Sequence, residues 1–122
     1  MRIFKNHWFA RFASKEGIHD SELKDMVSDV LETGHADANL GGNVYKVRLA
    51  RPGEGKSGGF RIIVFFKIRE KTFFHYGFSK SAKDNISKEE LKIMKKLAKE
   101  LFAQSDQQIN MQLIKGTLLE II

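Results

Sequence analysis

The chain has 122 residues, of which 42% are hydrophobic and 30% are charged, with a net charge of +6; this length suits one domain, residues 1–122, and is too short for two. The absence of cysteine excludes disulfide bonds and zinc–thiolate sites and favours a reducing, cytoplasmic location. The longest apolar run, Ile62 to Phe66, is far too short to span a bilayer, and charges scattered through the N-terminus argue against a signal peptide.

The N-terminal third of the chain is predicted to form two helices. In residues 5–15 the aromatic side chains recur at helical spacing, and Gly17 ends that helix. Asp20 can cap a second helix, whose apolar side chains recur at intervals of three and four residues until Gly34. Residues 34–43 are predicted to form a loop.

The period of the pattern then changes to two, which indicates β-strands. Residues 44–50 alternate between polar and apolar side chains, whereas residues 60–68 are apolar on both faces, as a central strand should be. Residues 71–78 follow after a short turn. These last two strands are therefore predicted to form an antiparallel hairpin.

The C-terminal part is predicted to contain two helices and a final strand. Ser87 and Glu90 form a capping box at the start of a lysine-rich amphipathic helix, and Ser105 and Gln108 repeat the pattern before a shorter helix. The tail, residues 116–122, has the character of a strand.

These elements predict an α+β fold, a twisted antiparallel sheet of three to four strands packed against N-terminal and C-terminal helices. Because the helices must bury their apolar stripes, we expect them to cover one face of the sheet and to leave the other face partly open.

Positive charge is concentrated in the middle of the sequence. Between residues 43 and 83 there are ten lysines and arginines but only two acidic residues, a net charge of +8 in that window. Such a distribution indicates a face that binds a polyanion, although a solvated lysine surface would give the same composition.

The segment Gly55-Lys56-Ser57 matches the end of the phosphate-binding P-loop motif, but the rest of the motif is missing. The position that requires the first glycine holds Ala50, and the glycines lead into the predicted strand that starts near Phe60. A P-loop leads into a helix, whose N-terminus meets the phosphates. The segment is therefore interpreted as a basic connection between two strands, with Arg51 and Lys56 in it.

Cations on the three central strands are predicted to converge. Lys46 and Arg48 lie on one face of their strand, Arg61 begins the next strand, and Lys80 ends the third. With a strand spacing of about 4.8 Å, these groups can meet within about 10 Å in one solvent-facing pocket. Tyr76 and Phe74 alternate towards the same face as Lys80, so the pocket would combine charge for phosphates with rings for base stacking.

The other residues offer little chemistry for catalysis. The four histidines lie far apart in the sequence without the spacing of a metal site, and His75, in mid-strand, is interpreted as a packed residue. Arginine and lysine would therefore carry any reaction at this site. A guanidinium can stabilise the charge of a pentavalent phosphorane, and RNA supplies its own nucleophile, the 2′-hydroxyl.

The residues also resemble a known family. The segments VYKVRLARPGEGKSGGFRIIVFF, FFHYGFSKSAKDNIS and KEELKIMKKLAKEL are together similar to the RelE/ParE superfamily of bacterial toxins, and specifically to its RelE-like HigB branch. The resemblance implies a RelE-like compact domain, ribosome-dependent cleavage of mRNA by 2′-hydroxyl attack on the adjacent phosphate, and neutralisation by a cognate antitoxin.

The same resemblance suggests roles for single residues. Arg61, in GGFR, takes the place of the transition-state arginine, and Lys46 and Arg48, in YKVRL, take the places of residues that bind RNA or move protons. Lys80 corresponds to the downstream cation. Arg51, Lys56, Tyr76 and Lys83 are added as candidate RNA-binding residues. Some family members have a tyrosine after the downstream cation, whereas this chain has Ile86 nearby, so the general base is open and Lys46 is the leading candidate.

Two further functions stay open at this stage. One is a ParE-like toxin that acts on DNA gyrase, and the other is a non-catalytic regulator that binds nucleic acid. The expected partners are a cognate antitoxin, mRNA and the ribosome; no membrane, metal or cofactor is expected, and a small-molecule ligand is not favoured.

Overall fold

The computed structural model describes residues 1–51, 55, 58–80 and 85–122. Within these ranges the chain forms six strands and four α-helices. In chain order they are β1 (Arg2–Asn6), α1 (His7–Glu16), α2 (Asp20–Met26), β2 (Ala38–Gly41), β3 (Val44–Leu49), β4 (Phe60–Lys67), β5 (Lys71–Ser79), α3 (Lys88–Ala103), α4 (Asp106–Lys115) and β6 (Leu118–Ile121). A π-helical segment, Val27–Leu31, continues α2.

All six strands belong to one mixed sheet with the order β2-β3-β4-β5-β1-β6. Neighbouring strands are antiparallel except β1 and β5, which are parallel. The predicted hairpin of β4 and β5 and the predicted C-terminal strand are confirmed. The predicted α+β class is confirmed. The predicted sheet of three to four antiparallel strands is wrong in its details, because β1 and β2 join the sheet and the pairing of β1 with β5 is parallel.

The two missed strands are short and have weak sequence signals. β1 runs directly into α1, and Asn6, its last residue, is also the N-cap that accepts a hydrogen bond from the Phe9 backbone at 2.7 Å. The helical pattern of the aromatic residues therefore overlapped the strand. β2 has only four residues and ends in glycine, a composition typical of the loop that was predicted there.

One face of the sheet, called here the first face, is covered by the N-terminal helices. α1, α2 and the π-helical segment pack their apolar side chains against it, with Phe9, Leu23 and Val27 all buried. Ile62 and Val64 of β4 point into this core and are fully buried.

The opposite face, the second face, is covered in part by the C-terminal helices. Met94 and Ala98 of α3 and Ile109 of α4 pack against Ile63 and Phe65 of β4. The expectation that the helices cover only one face is therefore wrong. β4 is buried on both sides, which agrees with its continuous apolar sequence.

Both predicted capping boxes are present. The Ser87 hydroxyl accepts a hydrogen bond from the Glu90 backbone at the start of α3, and Glu90 accepts one from the Ser87 backbone. Ser105 and Gln108 make the same reciprocal pair at the start of α4. These bonds satisfy backbone donors that have no partner within the helix, and they fix where both helices begin.

An ion cluster joins α4 to the strands at the far edge of the sheet. The Arg2 guanidinium donates two hydrogen bonds of 2.9 Å to the carboxylate of Glu120, and Asp106 lies 3.6 Å from it. The hydrogen bond to Arg2 lowers the pKa of Glu120, and the same contact raises the pKa of Arg2. The cluster connects β1 to α4 and β6, which lie about one hundred residues further along the chain.

Candidate nucleic-acid interface

The strand register places the predicted cations at one end of the sheet. Arg48 of β3 lies directly opposite Arg61 of β4, and Lys46 lies opposite Ile63. Directly opposed residues of an antiparallel pair project from the same face, here the second face. Lys80 follows the end of β5, where its backbone N–H donates to the Gly59 carbonyl at 3.2 Å. We call Lys46, Arg48, Arg61 and Lys80 the cationic end of the second face.

These four residues differ in burial. Arg48 and Lys80 are exposed, and Lys46 is half-buried. Arg61, in contrast, is only 5% exposed and is the one charged residue that is buried in the described part of the chain. The expectation that all the cations face solvent is therefore wrong for Arg61, which is buried.

The pairing of Arg48 with Arg61 has an electrostatic consequence. Directly opposed side chains have Cβ atoms roughly 5 Å apart, and like charges in that arrangement repel each other. The repulsion is less screened for Arg61, since burial keeps bulk water from its surroundings. The register therefore concentrates positive charge at this end of the sheet.

Gly59 makes the close approach at this end of the sheet possible. A Cβ atom at this position would lie 2.2 Å from the Leu49 carbonyl oxygen and 3.1 Å from the Ala50 Cα. Any other residue would force the end of β3 away from the start of β4. Gly59 therefore helps to bring Arg48 next to Arg61.

Tyr76 lies on the same face as the cations. It is opposite Ile63 in the pairing of β4 with β5, it is half-buried, and its ring centroid is 5.6 Å from that of Phe78. Both rings pack in the core of the second face, called here the second core. Tyr76 is thus partly buried and presents only part of its ring. The prediction that Phe74 shares this face is wrong, because the bulge in β5 turns its side chain into the core of the first face, where it is fully buried.

Of the remaining predicted RNA-binding residues, Arg51 does not join this group. The Arg51 guanidinium lies over the Phe60 ring, 5.1 Å from its centroid, and Phe60 belongs to the core of the first face. Arg51 is therefore held on the other side of the sheet. Lys56 and Lys83 lie outside the described residues.

His75 is a packed residue, as its position in mid-strand predicts. It lies at a bulge where β5 carries one residue more than β4, and its ring stacks on Phe65 with centroids 4.7 Å apart. The Asn6 amide contacts its Nδ1 at 3.3 Å. Burial lowers the pKa of His75, so the ring is neutral in the folded protein at physiological pH.

Asp37 belongs to this end of the sheet but was missed by sequence reasoning. Its carboxylate accepts a hydrogen bond of 2.6 Å from the Arg48 backbone N–H. The contact satisfies a donor at the outer edge of β3 and fixes the strand that carries Arg48. No signal in the sequence pointed to it, since an aspartate in a predicted loop has many possible partners.

The described residues offer neither a metal site nor a membrane-spanning helix. They contain no group of three or more histidine, aspartate or glutamate side chains arranged to hold a metal ion. Within the same ranges, no helix combines the length and apolar character needed to cross a bilayer.

Comparison with known proteins identifies the family. A family model described as the RelE toxin of the RelE/RelB toxin–antitoxin system matches residues 1–121. The chain belongs to the RelE toxin family. No curated protein and no solved structure shows significant similarity to it. As a RelE-family chain it is a toxin-type protein, and the family implies an antitoxin as its partner.

Proposed function

We propose that this RelE-family chain is a ribosome-dependent mRNA endonuclease of the HigB branch, acting in the cytoplasm and neutralised by a cognate antitoxin. The observation that carries the proposal is the register that sets Arg48 opposite Arg61, with Lys46 and Lys80 beside them. Membership of the RelE family makes a nuclease site the natural use of such a cluster.

The proposed reaction uses the RNA as its own nucleophile. The 2′-hydroxyl attacks the adjacent phosphorus, a bond from the 2′-oxygen to phosphorus forms, and the bond to the 5′-oxygen breaks. The products are a 2′,3′-cyclic phosphate and a new 5′-hydroxyl end. The protein must stabilise the extra charge on the phosphorane and move one proton from the 2′-oxygen to the leaving 5′-oxygen.

The exposed and the buried cations have different parts in this scheme. Arg48 and Lys80 are exposed and bind the phosphates on either side of the scissile bond. Arg61, which is buried, acts on the phosphorane from a site with little bulk water, where a fixed charge is more effective than in solvent. Lys46 is the candidate for proton transfer. The exposed part of the Tyr76 ring stacks on a nucleobase of the RNA.

The decisive test is cleavage of a defined mRNA on purified ribosomes, with mapping of the new 5′ ends and of their hydroxyl chemistry. Arg61→Ala is expected to lower the cleavage rate by about 10²–10³-fold, the usual effect of removing one group that stabilises a transition-state charge. Because Arg61 is buried, the exposed double variant Arg48→Ala/Lys80→Ala is measured beside it and is expected to weaken cleavage without loss of fold.

Lys15→Ala is the matched control, since Lys15 is an exposed cation on α1, away from the second face. It should leave cleavage unchanged. Full activity of a well-folded Arg61→Ala protein together with full activity of the double variant would contradict the proposal. Intact messages with the wild-type toxin, combined with DNA breaks dependent on gyrase, would instead favour a ParE-like function.

A further inference from the structure

A second basic pocket lies on the second face, at the end of the sheet opposite to the cationic end. It has a volume of about 490 Å³, and the residues that line it include Gly42, Lys67, Lys95, Lys99 and Phe102. The first of these belongs to the turn between β2 and β3, the second ends β4, and the others lie on α3.

The two basic regions are separated by the length of the strands. Gly42 is six residues from Arg48, and Lys67 is six residues from Arg61. At about 3.3 Å per residue, each separation is roughly 20 Å. The pocket is therefore a distinct place on the protein and not an extension of the cationic end.

Lys95 lies close against Gly41, the last residue of β2, and Gly42, in the turn that follows. Gly41 and Gly42 have positive φ angles of 88° and 60°. A Cβ atom on Gly42 would lie 3.0 Å from the Lys95 Cγ, and one on Gly41 would lie 3.2 Å from the Lys95 Nζ. The aliphatic part of Lys95 thus lies against the turn, and its ammonium group is placed over Gly41.

The lysines of the pocket have little opposing charge. Lys67 is paired with Glu70 at 3.0 Å. In the described part of the chain, neither Lys95 nor Lys99 takes part in a salt bridge. They are four residues apart on α3 and so project in the same direction. Two neighbouring ammonium groups beside an open pocket favour an anion, and phosphate is the anion that lysine commonly binds.

We propose that this pocket binds the phosphodiester backbone of structured RNA, as a second contact apart from the cationic end. Lys95 and Lys99 bind the phosphates, and the Phe102 ring forms the apolar wall beside them. In a ribosome-dependent toxin this contact would hold ribosomal RNA while the other end of the sheet meets the message. That use depends on the proposed function, whereas the binding of RNA by the pocket does not.

The experiment measures binding of the whole chain to a short fluorescent RNA duplex by anisotropy over a series of salt concentrations. Lys95→Gln/Lys99→Gln is compared with Lys92→Gln/Lys96→Gln, an exposed pair with the same spacing on the same helix but outside the pocket. Both variants lose two charges, so only the pocket distinguishes them. Thermal unfolding of each protein checks the fold.

The pocket variant is expected to bind the duplex about tenfold more weakly than wild type at moderate salt. The slope of the logarithm of the binding constant against the logarithm of the salt concentration should become less steep by about two, which is about one for each lost phosphate contact. The control pair should show much smaller changes, and Lys95→Arg/Lys99→Arg should restore binding. Cleavage is not measured, so failure of the nuclease proposal would not affect this result.

Two outcomes would overturn the inference. Equal losses in the two glutamine pairs would show a general effect of net charge. Saturable binding of inorganic phosphate at Lys95 and Lys99, seen by NMR, with unchanged duplex binding in the pocket variant, would show a site for a small phosphate and not for RNA.

Discussion

The two ends of the second face are built on the same strands but have opposite characters. At one end, Val44 and Phe65 lie opposite each other and are fully buried beneath the C-terminal helices. At the other, Arg48 and Arg61 occupy the equivalent opposed positions. The first face shows no such change, since Ile62 and Phe60 are both buried under the N-terminal helices.

The difference shows how this fold combines a core with a charged surface on one layer. α3 and α4 cover only part of the second face, so the helix-covered end contributes to stability, whereas Arg48 and Lys80 at the cationic end are exposed. Alternation along β3 and β4 keeps the apolar side chains on the first face throughout. The cationic end can therefore be altered without disturbing the first core.

The largest effect is expected from a matched pair of substitutions on β4. Ile62 and Ile63 are adjacent, equally buried at 0% exposure, and belong to the first and the second core respectively. We expect Ile62→Ala and Ile63→Ala each to lower the free energy of unfolding by about 2–5 kcal/mol. Chemical denaturation measures both. A cost below 1 kcal/mol for Ile63→Ala alone would mean that the helices do not cover the second face.

A smaller effect is expected where the cationic end depends on a close backbone approach. Gly59→Ala would place a methyl group 2.2 Å from the Leu49 carbonyl oxygen, so the strands must separate, at a cost of about 2 kcal/mol. The same shift should reduce RNA binding, because it moves Arg48 away from Arg61. Gly55→Ala is the control, since no atom lies within 4 Å of a Cβ there; equal stability of the two variants would contradict the packing described.

The smallest effect concerns the ion cluster at the far edge. We expect Glu120→Gln to cost about 0.5–1 kcal/mol at neutral pH, because the contact with Arg2 is only partly buried. The folded pKa of Glu120 is lowered from its ordinary value of 4.5. The stabilisation that Glu120 gives to the folded state is therefore complete above a pH of 4.5, and it is lost as the pH falls through the folded pKa.

The measurement is the difference in unfolding free energy between wild type and Glu120→Gln across the acid range. The difference should shrink towards zero at low pH. Glu100→Gln, an exposed residue of α3, serves as the control and should show no such trend. A difference that stays constant down to the lowest pH would argue against the ion pair as its source.

Much of the fold could be predicted from local patterns. The apolar run of β4, the alternation of β3 and both capping boxes specify their elements through side-chain period and hydrogen bonding within a few residues. The strand β2 could not be predicted in this way, because it has only four residues and ends in glycine. The strand β1 could not be predicted either, since it is stabilised by pairing with strands distant in sequence. For β1 the partners are β5 and β6, and no local signal indicates them.

The candidate site was predictable in the same limited sense. Spacing and alternation placed Lys46, Arg48, Arg61 and Lys80 on one face. The burial of Arg61 and the position of Arg51 over Phe60 depend on how neighbouring elements pack, which alternation does not report. The roles assigned to these residues remain predictions for the cleavage assays.

By itself, the sequence determined the identity and order of most elements, the excess of positive charge in its middle, and the family to which the chain belongs. Only the tertiary structure decided that both sheet faces are covered and that Arg61 is buried while the opposed Arg48 is exposed. It also decided that Lys95 meets the glycine turn of β2 and β3. The physical reason is that period and propensity act over a few residues, whereas register and helix placement are fixed by contacts between segments far apart in the chain.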